Sequence, residues 1–309
     1  MAAQSPRRRA SRIRTAAYRR RLFARQTNPL ASRERPIFRR RRGRWTAARL
    51  CFFGAAALLA GAVSFSMLSF PPAAADIDAE KRAAQDVASL QEDVSHPQRS
   101  ASLEVPALAQ NPELPTGCES VALTNALLSL GFNLGKTDIA DNWLPLSEDD
   151  FVTAFMGDPH STDGHSCMAP AIVRTADAYL AAQGSSLEAT DITGSSLDQV
   201  LDQVAGGNPV IAWCTIGLEP PGAAYRTARE NGRTYRLYAN SHCVVVSGYD
   251  LNEGLVLVSD SLAGQVSYDL QQFAVRYYEL GAQAVVIEEA AARTLAYSCA
   301  LRSATISSA

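Results

Sequence analysis

Residues 104–290 predict an α+β domain, helical in its first half and built on a mainly antiparallel sheet in its second. Three observations carry this. Apolar residues recur at helical spacing over Cys118–Leu130 and Ala169–Gln183, with a further helical stretch at Asp149–Phe155. Short runs rich in β-branched residues follow at Pro209–Thr215, His242–Tyr249, Leu255–Ser259, Gln265–Leu270 and Ala284–Glu288. The turn-like Asp250-Leu251-Asn252-Glu253-Gly254 between two of these runs reads as the bend of a hairpin. Helices first and strands second is the α+β pattern, and a segment of this length can bury a sizeable core.

The chain ahead of this domain is of another kind. Residues 1–49 hold 17 arginines, no lysine and one acid, Glu34, a net charge of +16; the whole-chain charge of −2 leaves −18 for the rest. Such a split does not belong to one folded surface. The arm is poor in apolar residues and is expected to be disordered and cytoplasmic. Leu50–Phe70 is a 21-residue run without a charge, long enough to cross a bilayer as a signal anchor. Arginines precede it and Asp76, Asp78 and Glu80 follow, so the positive-inside rule places the N-terminus in the cytoplasm and the rest outside. The run Arg39-Arg40-Arg41-Arg42-Gly43-Arg44 then suits the anionic inner leaflet better than nucleic acid, and no obligate partner is implied. Ala73-Ala74-Ala75 resembles a signal-peptidase site, so cleavage after Ala75 would give a secreted form of the same domain. Residues 71–103 read as a polar stalk with one short helix over Asp76–Val94, and 291–309 as a loose tail.

Within the domain, Leu114-Pro115-Thr116-Gly117-Cys118-Glu119-Ser120 reads as a helix start. Thr116 suits the N-cap and Glu119, three residues on, completes a capping box, which puts Cys118 at the second helical position. The free N–H groups and dipole of a helix start favour a thiolate, the nucleophilic form of cysteine. Gly131 is a natural C-terminal stop. Glu219–Asn240, with Pro220-Pro221-Gly222 and then Tyr225, Arg226, Arg229, Arg233, Tyr235, Arg236 and Tyr238, reads either as a solvated extended hairpin or as a flap over a cleft. It leads directly to His242, which opens a strongly β-forming strand. The hairpin after that strand returns the chain to Asp260, bringing the two side chains close. Of the four histidines, only His242 has both such a strand and an acid across it. Cysteine, histidine and aspartate in this order offer a nucleophile, a base and a carboxylate to orient the base.

The sequence here resembles the C39-like cysteine peptidases of bacteria, a family with the papain-like fold. The matching stretches are Gln110 with Leu114–Ala122, Cys167–Ile172, His242–Asp250 and Val258–Gly264, within Val105 to Tyr278. The resemblance implies Cys118 as nucleophile, His242 as general base, Asp260 as the orienting residue and Gln110 as a contributor to the oxyanion hole. It also implies a helical part, with the cysteine on its helix, packed on an antiparallel sheet. Gly117 and Glu119 beside the cysteine, and Tyr235 and Tyr238 in the flap, are the candidates for substrate contact. One departure is Ser261, where the family usually has proline after the aspartate. The expected activity is hydrolysis of a peptide or related amide outside the cytoplasm, through a thioester and without a cofactor. An acyltransferase or transglutaminase-type use of the same groups, and an inactive binding module of the cell envelope, are the alternatives.

The other cysteines outside the apolar run, Cys167, Cys214, Cys243 and Cys299, allow three disulfide pairings that the sequence does not choose between. Burial of Cys214 and Cys243 in strands is at least an equal expectation. A zinc site from His165, Cys167, His242 and Cys243 has no C-x-x-C pair behind it, and no metal is expected.

Overall fold

Valines in unbroken succession, as at Val244–Val246, belong on a strand covered on both faces. In the computed structural model of this chain they lie at the centre of a sheet with helices on either side. The structure describes residues 77–92 and 98–289; the arginine-rich arm, the apolar run 50–70 and the tail after 290 lie outside these residues. Among the described residues no helix is long and apolar enough to cross a membrane. In chain order the elements are α1 (Ile77–Glu92), β1 (Ser100–Ser102), α2 (Cys118–Ser129), α3 (Asp138–Asn142), β2 (Leu146–Ser147), β3 (Phe155–Met156), α4 (Ala169–Ala182), β4 (Leu187–Asp191), α5 (Leu197–Ala205), β5 (Val210–Thr215), β6 (Ala224–Glu230), β7 (Arg233–Tyr238), β8 (Ser241–Asp250), β9 (Leu255–Asp260), β10 (Gly264–Asp269), α6 (Leu270–Glu279) and β11 (Ala284–Glu289).

The main sheet runs β10-β9-β8-β5-β11-β4, every pairing antiparallel, so the α+β expectation stands. β8 holds it together. Its first half pairs with β5, from Ser241↔Thr215 to Val246↔Val210, and its second half with β1, from Gly248↔Ser102 to Asp250↔Ser100. Its other edge pairs with β9. A bulge at Ser247 separates the two halves, and the Leu103 N–H donates to the freed Ser247 carbonyl at 2.7 Å. Gly248 is required there: a Cβ would lie 2.6 Å from the Ala101 carbonyl oxygen of β1.

The two faces bury different helices. Val244, Val246, Val210, Ala212 and Cys214 pack with α1, α5 and α6. Cys243, Val245, Ile211 and Trp213 pack with α2, α3 and α4. Paired residues of adjacent antiparallel strands share a face, so His242, opposite Cys214, is on the first face and Cys243, opposite Trp213, on the second.

Three expectations are corrected. The stretch 71–103 is not simply a stalk, because α1 docks on the domain and β1 joins the sheet. Ala79, Ala83, Val87 and Leu90, one helical stripe, are buried against α5 and α6. Arg82 lies over the Tyr278 ring at 4.3 Å, and the Tyr278 hydroxyl hydrogen-bonds Asp86. Second, Asp149–Phe155 is not a helix. The hydroxyl of Ser147 accepts from the N–H groups of Asp149 and Asp150, and Asp150 accepts from those of Val152 (2.7 Å) and Thr153 (3.0 Å). These side chains satisfy the backbone in a bent form, and the segment ends as β3, parallel to β2. Third, Gln265–Leu270 is strand only as far as Asp269. Asp269 caps α6 by accepting from the Gln272 N–H at 2.8 Å.

If α1 is part of the core, Leu90→Ala will cost about 2–4 kcal/mol of unfolding free energy, the usual range for a buried leucine. Denaturant unfolding of the chain checks it, since a helix lying free would lose almost nothing.

Candidate active site

The three residues that the resemblance singles out come from three elements. Cys118 is the first residue of α2, His242 the second of β8 and Asp260 the last of β9. The β8–β9 hairpin brings the latter two together: His242 Nε2 donates to Asp260 Oδ1 at 2.8 Å, with both side chains buried. Asp250 shapes the hairpin turn by accepting from the N–H groups of Asn252 and Glu253.

Asp260 is held on every side. The Leu262 and Ala263 N–H groups donate to Oδ1 at 2.7 and 3.2 Å, and the Tyr268 hydroxyl to Oδ2 at 3.2 Å. Burial alone would push this carboxyl up, but the His242 hydrogen bond, the imidazole charge and the two amides outweigh it and hold the pKa at about 2. The same carboxylate, after burial, helps push the Tyr268 hydroxyl well above its ordinary value, so that it stays a donor.

Gln110 is buried at the turn before α2. Its N–H donates to the Ser261 carbonyl at 3.0 Å, its side-chain amide donates to the Pro115 carbonyl at 2.8 Å, and its Oε1 accepts from Ser261 Oγ at 2.6 Å. Ser261 thus ties the Asp260 loop to the segment that leads into α2.

Around Cys118 the structure differs from the expected helix start. No side chain caps α2; its N-cap is Gly117, which puts Cys118 at the first position rather than the second. Thr116 turns away and donates to the Ser161 carbonyl at 3.0 Å. The facing loop comes so close that a Cβ on Gly164 would meet Thr116 Oγ1 and the Asp158 carbonyl at 2.2 Å. Glu119 points inward. It is fully buried, accepts from the Cys167 N–H at 3.1 Å and from the Ser166 hydroxyl, and lies 3.3 Å from Cys118 Sγ. The capping box fails because both of its members find partners on the loop ahead of α4, Thr116 at Ser161 and Glu119 at the buried Ser166 and Cys167.

The thiol is therefore not activated in this arrangement. Burial, then the charge and hydrogen bond of Glu119, push it well above its ordinary pKa, with only the Cys243 N–H acting the other way. The expected lowering by the helix start is reversed. Cys118 and His242 flank the start of β8, and among the described residues no hydrogen bond joins them. The structure brings His242 to Asp260, and Gln110 to Ser261; it holds Cys118 against Glu119 and the β8 backbone.

The proposed substrate contacts are distributed differently. Gly117 is buried beneath Pro159. Tyr235 is buried with Leu237 against Phe151, Val152, Met156 and Met168, and Tyr238 is half-buried. The Glu219–Asn240 segment is the hairpin β6–β7, anchored by Asn240 to Gly222 and Pro220 at its base and by Arg233 to the Thr193 carbonyl near its turn. Its exposed Tyr225 meets His165, with Oη 3.2 Å from Nδ1. Cys118, Cys167, Cys214 and Cys243 are free and buried, so none of the expected disulfides forms among them; Cys299 lies outside the described residues. His242 and Cys243 face opposite ways, and among the described residues no cluster of three or more His, Cys, Asp or Glu could hold a metal.

Sequence reasoning missed Ser166, Tyr268 and the inward turn of Glu119. Tyr268 was accessible, since alternation along β10 puts it on one face with Val266; Ser166 carries no pattern that distinguishes it.

Comparison with known proteins gives the class, a cysteine peptidase-like hydrolase. A sequence profile of the peptidase C39-like family matches residues 102–285, and the chain belongs to that family. It is 28% identical over 186 residues, 58% of this chain and 71% of the relative, to the uncharacterized protein YvpB of Bacillus subtilis. Its fold resembles the crystal structure of a protein titled a putative C39-like peptidase, from Bacillus anthracis, at TM-score 0.54 and 24% identity, covering 61% of this chain and 97% of that one.

Asp260 gives the fold a pH dependence of known sign. Its carboxyl is depressed in the folded state, so its contribution is complete above the unfolded value near 4 and is lost as pH falls towards about 2. The contribution is on the order of 2 kcal/mol. Unfolding free energies of wild type and Asp260→Asn should differ at pH 6 and converge by pH 2; a constant difference would remove this linkage.

Proposed function

We propose that this protein is an extracytoplasmic cysteine peptidase, or related amide hydrolase, in which Cys118, His242 and Asp260 act as nucleophile, base and orienting carboxylate. The observation that carries the reading is the buried 2.8 Å bond from His242 Nε2 to Asp260. With that nitrogen engaged, Nδ1 is the one free to take the Cys118 proton once the thiol turns from Glu119. The sulfur then attacks the substrate carbonyl carbon as the C=O bond opens to an oxyanion, which the Cys118 N–H and the Gln110 amide stabilise. Collapse expels the amine with the proton from His242, leaving a thioester that water hydrolyses. An amine in place of water would make the enzyme a transferase. The inactive binding module is favoured by one observation, the buried and upward-shifted thiol.

A peptidyl epoxide probe, offered to the full chain, separates these readings. Wild type should be labelled at Cys118, and His242→Ala slowed at least about 100-fold, the low end of general-base contributions. Asp260→Asn should keep more reactivity than Asp260→Ala at equal folded fraction, because an amide oxygen can still accept from the ring. A His242→Ala chain labelled as fast as wild type overturns the pair, and an inert wild-type thiol leaves the binding module.

In the same proposal residues 50–70 anchor the chain with the arginine-rich arm inside, unless cleavage after Ala75 releases it. The substrate is then a peptide or protein outside the cytoplasm. Protease added to intact cells should reach the 104–290 domain and spare the arm; the opposite pattern refutes the orientation.

A further inference from the structure

We propose that Glu119 gates the nucleophile: its carboxyl holds the Cys118 thiol in the resting enzyme, and a negative charge on it keeps that thiol protonated. The inference rests on the reading of Cys118 as nucleophile, and it gives Glu119 a role other than capping or substrate contact.

The geometry is specific. Glu119 has no exposed surface, yet it directly follows the cysteine. One oxygen is taken by Ser166 and the Cys167 N–H, and the other lies 3.3 Å from Cys118 Sγ. The titratable groups facing this pair are Cys167 ahead of α4, Cys243 on β8, Cys214 on β5 and Tyr225 on β6. None of them is a cation. A carboxylate and a thiolate at this distance, away from water and without a counter-charge, suppress one another, so one proton stays with the pair. Burial raises the Glu119 pKa although Ser166 and the Cys167 N–H favour its charge, so the carboxylate opposes the thiolate once pH passes that raised value. Activation then needs no co-reactant. The thiol turns away from Glu119, the S–H bond breaks, the proton passes to His242 Nδ1 and the electron pair stays on sulfur.

The test reads the thiol directly. The full chain is alkylated with iodoacetamide, a neutral reagent that the charge of Glu119 does not steer, from pH 5 to 10. Each cysteine is read out separately by peptide mass spectrometry. Glu119→Gln keeps the size and the acceptor for Ser166 and Cys167 but removes the charge. It should move the Cys118 profile to lower pH by about one unit, a roughly tenfold faster reaction at pH 7. Cys214, on which the Glu119 charge does not act, should not move. Ser166→Ala, which removes a bond favouring the charged carboxyl, should move Cys118 the same way by less, and it decides the matter if Glu119→Gln does not fold. A Cys118 profile unchanged or moved upward overturns the gate, as a purely structural Glu119 would leave it in place. Because alkylation is independent of turnover, a Cys118→Ala chain that still hydrolyses substrate would count against the nucleophile alone.

Discussion

Burying an imidazole against a carboxylate costs both groups their hydration, and three further donors to the Asp260 carboxylate offset that cost for the His242–Asp260 pair. Leu262 and Ala263 supply those donors from the turn between β9 and β10, and Tyr268 from β10 itself. The same turn carries Ser261, whose backbone and hydroxyl both bond Gln110. Gln110 in turn bonds the Pro115 carbonyl, two residues before the N-cap of α2. A continuous run of hydrogen bonds therefore links the ring of His242 to the turn that presents Cys118, although the two side chains do not bond each other. The turn that presents Cys118 is thus tied to the loop that satisfies one buried acid.

The second hold on that turn comes from the loop after β3. Thr116 donates into it, Gly164 lets it approach, and His160 bridges from it to Asp141 on α3 at 2.7 Å and to the Glu113 carbonyl at 2.9 Å. The Asp141 hydrogen bond raises the His160 pKa. This surface clasp is therefore strongest at low pH and is given up as pH rises through that raised value. The acid-side linkage of Asp260 runs the opposite way, so the two restraints on the site overlap between them.

Much of this was legible in the sequence, for physical reasons that differ by element. The β8–β9 hairpin announces itself by two apolar runs about one turn and an Asp that bonds its own loop, so His242 and Asp260 were placed together correctly. The helices α2 and α4 follow from apolar spacing alone. Two missed helices, α5 and α6, carry their own caps, a Ser196–Gln199 capping box and Asp269, and were readable in principle. Thr116–Glu119 has the same spacing as a capping box and is not one. What decides between them is whether the acid faces solvent or a loop some 45 residues away, here Ser166 and Cys167, and spacing carries no information on that. The docking of α1 was hidden likewise: its four buried positions are two alanines, a valine and a leucine, a weak stripe whose partner is the distant α6.

The upward shift of Cys118 bears on how such a site can work at all. A helix start offers an anion typically 0.3–1 kcal/mol, and about 2 in the best partly buried cases. Removing an anion from water costs several kcal/mol even after the protein relaxes. The helix therefore cannot by itself stabilise a buried thiolate, and here Glu119 opposes it further. The imidazole could supply the difference, but only as imidazolium, and its own charge is stabilised by the fixed Asp260 carboxylate. The favourable route is one in which the proton moves from sulfur to ring in a single step, so that thiolate and imidazolium arise together and neither charge is buried alone. That route requires the thiol to leave Glu119 for the His242 side of β8. The rotation at Cys118, rather than the acidity of an isolated cysteine, is then the step on which the proposed chemistry depends.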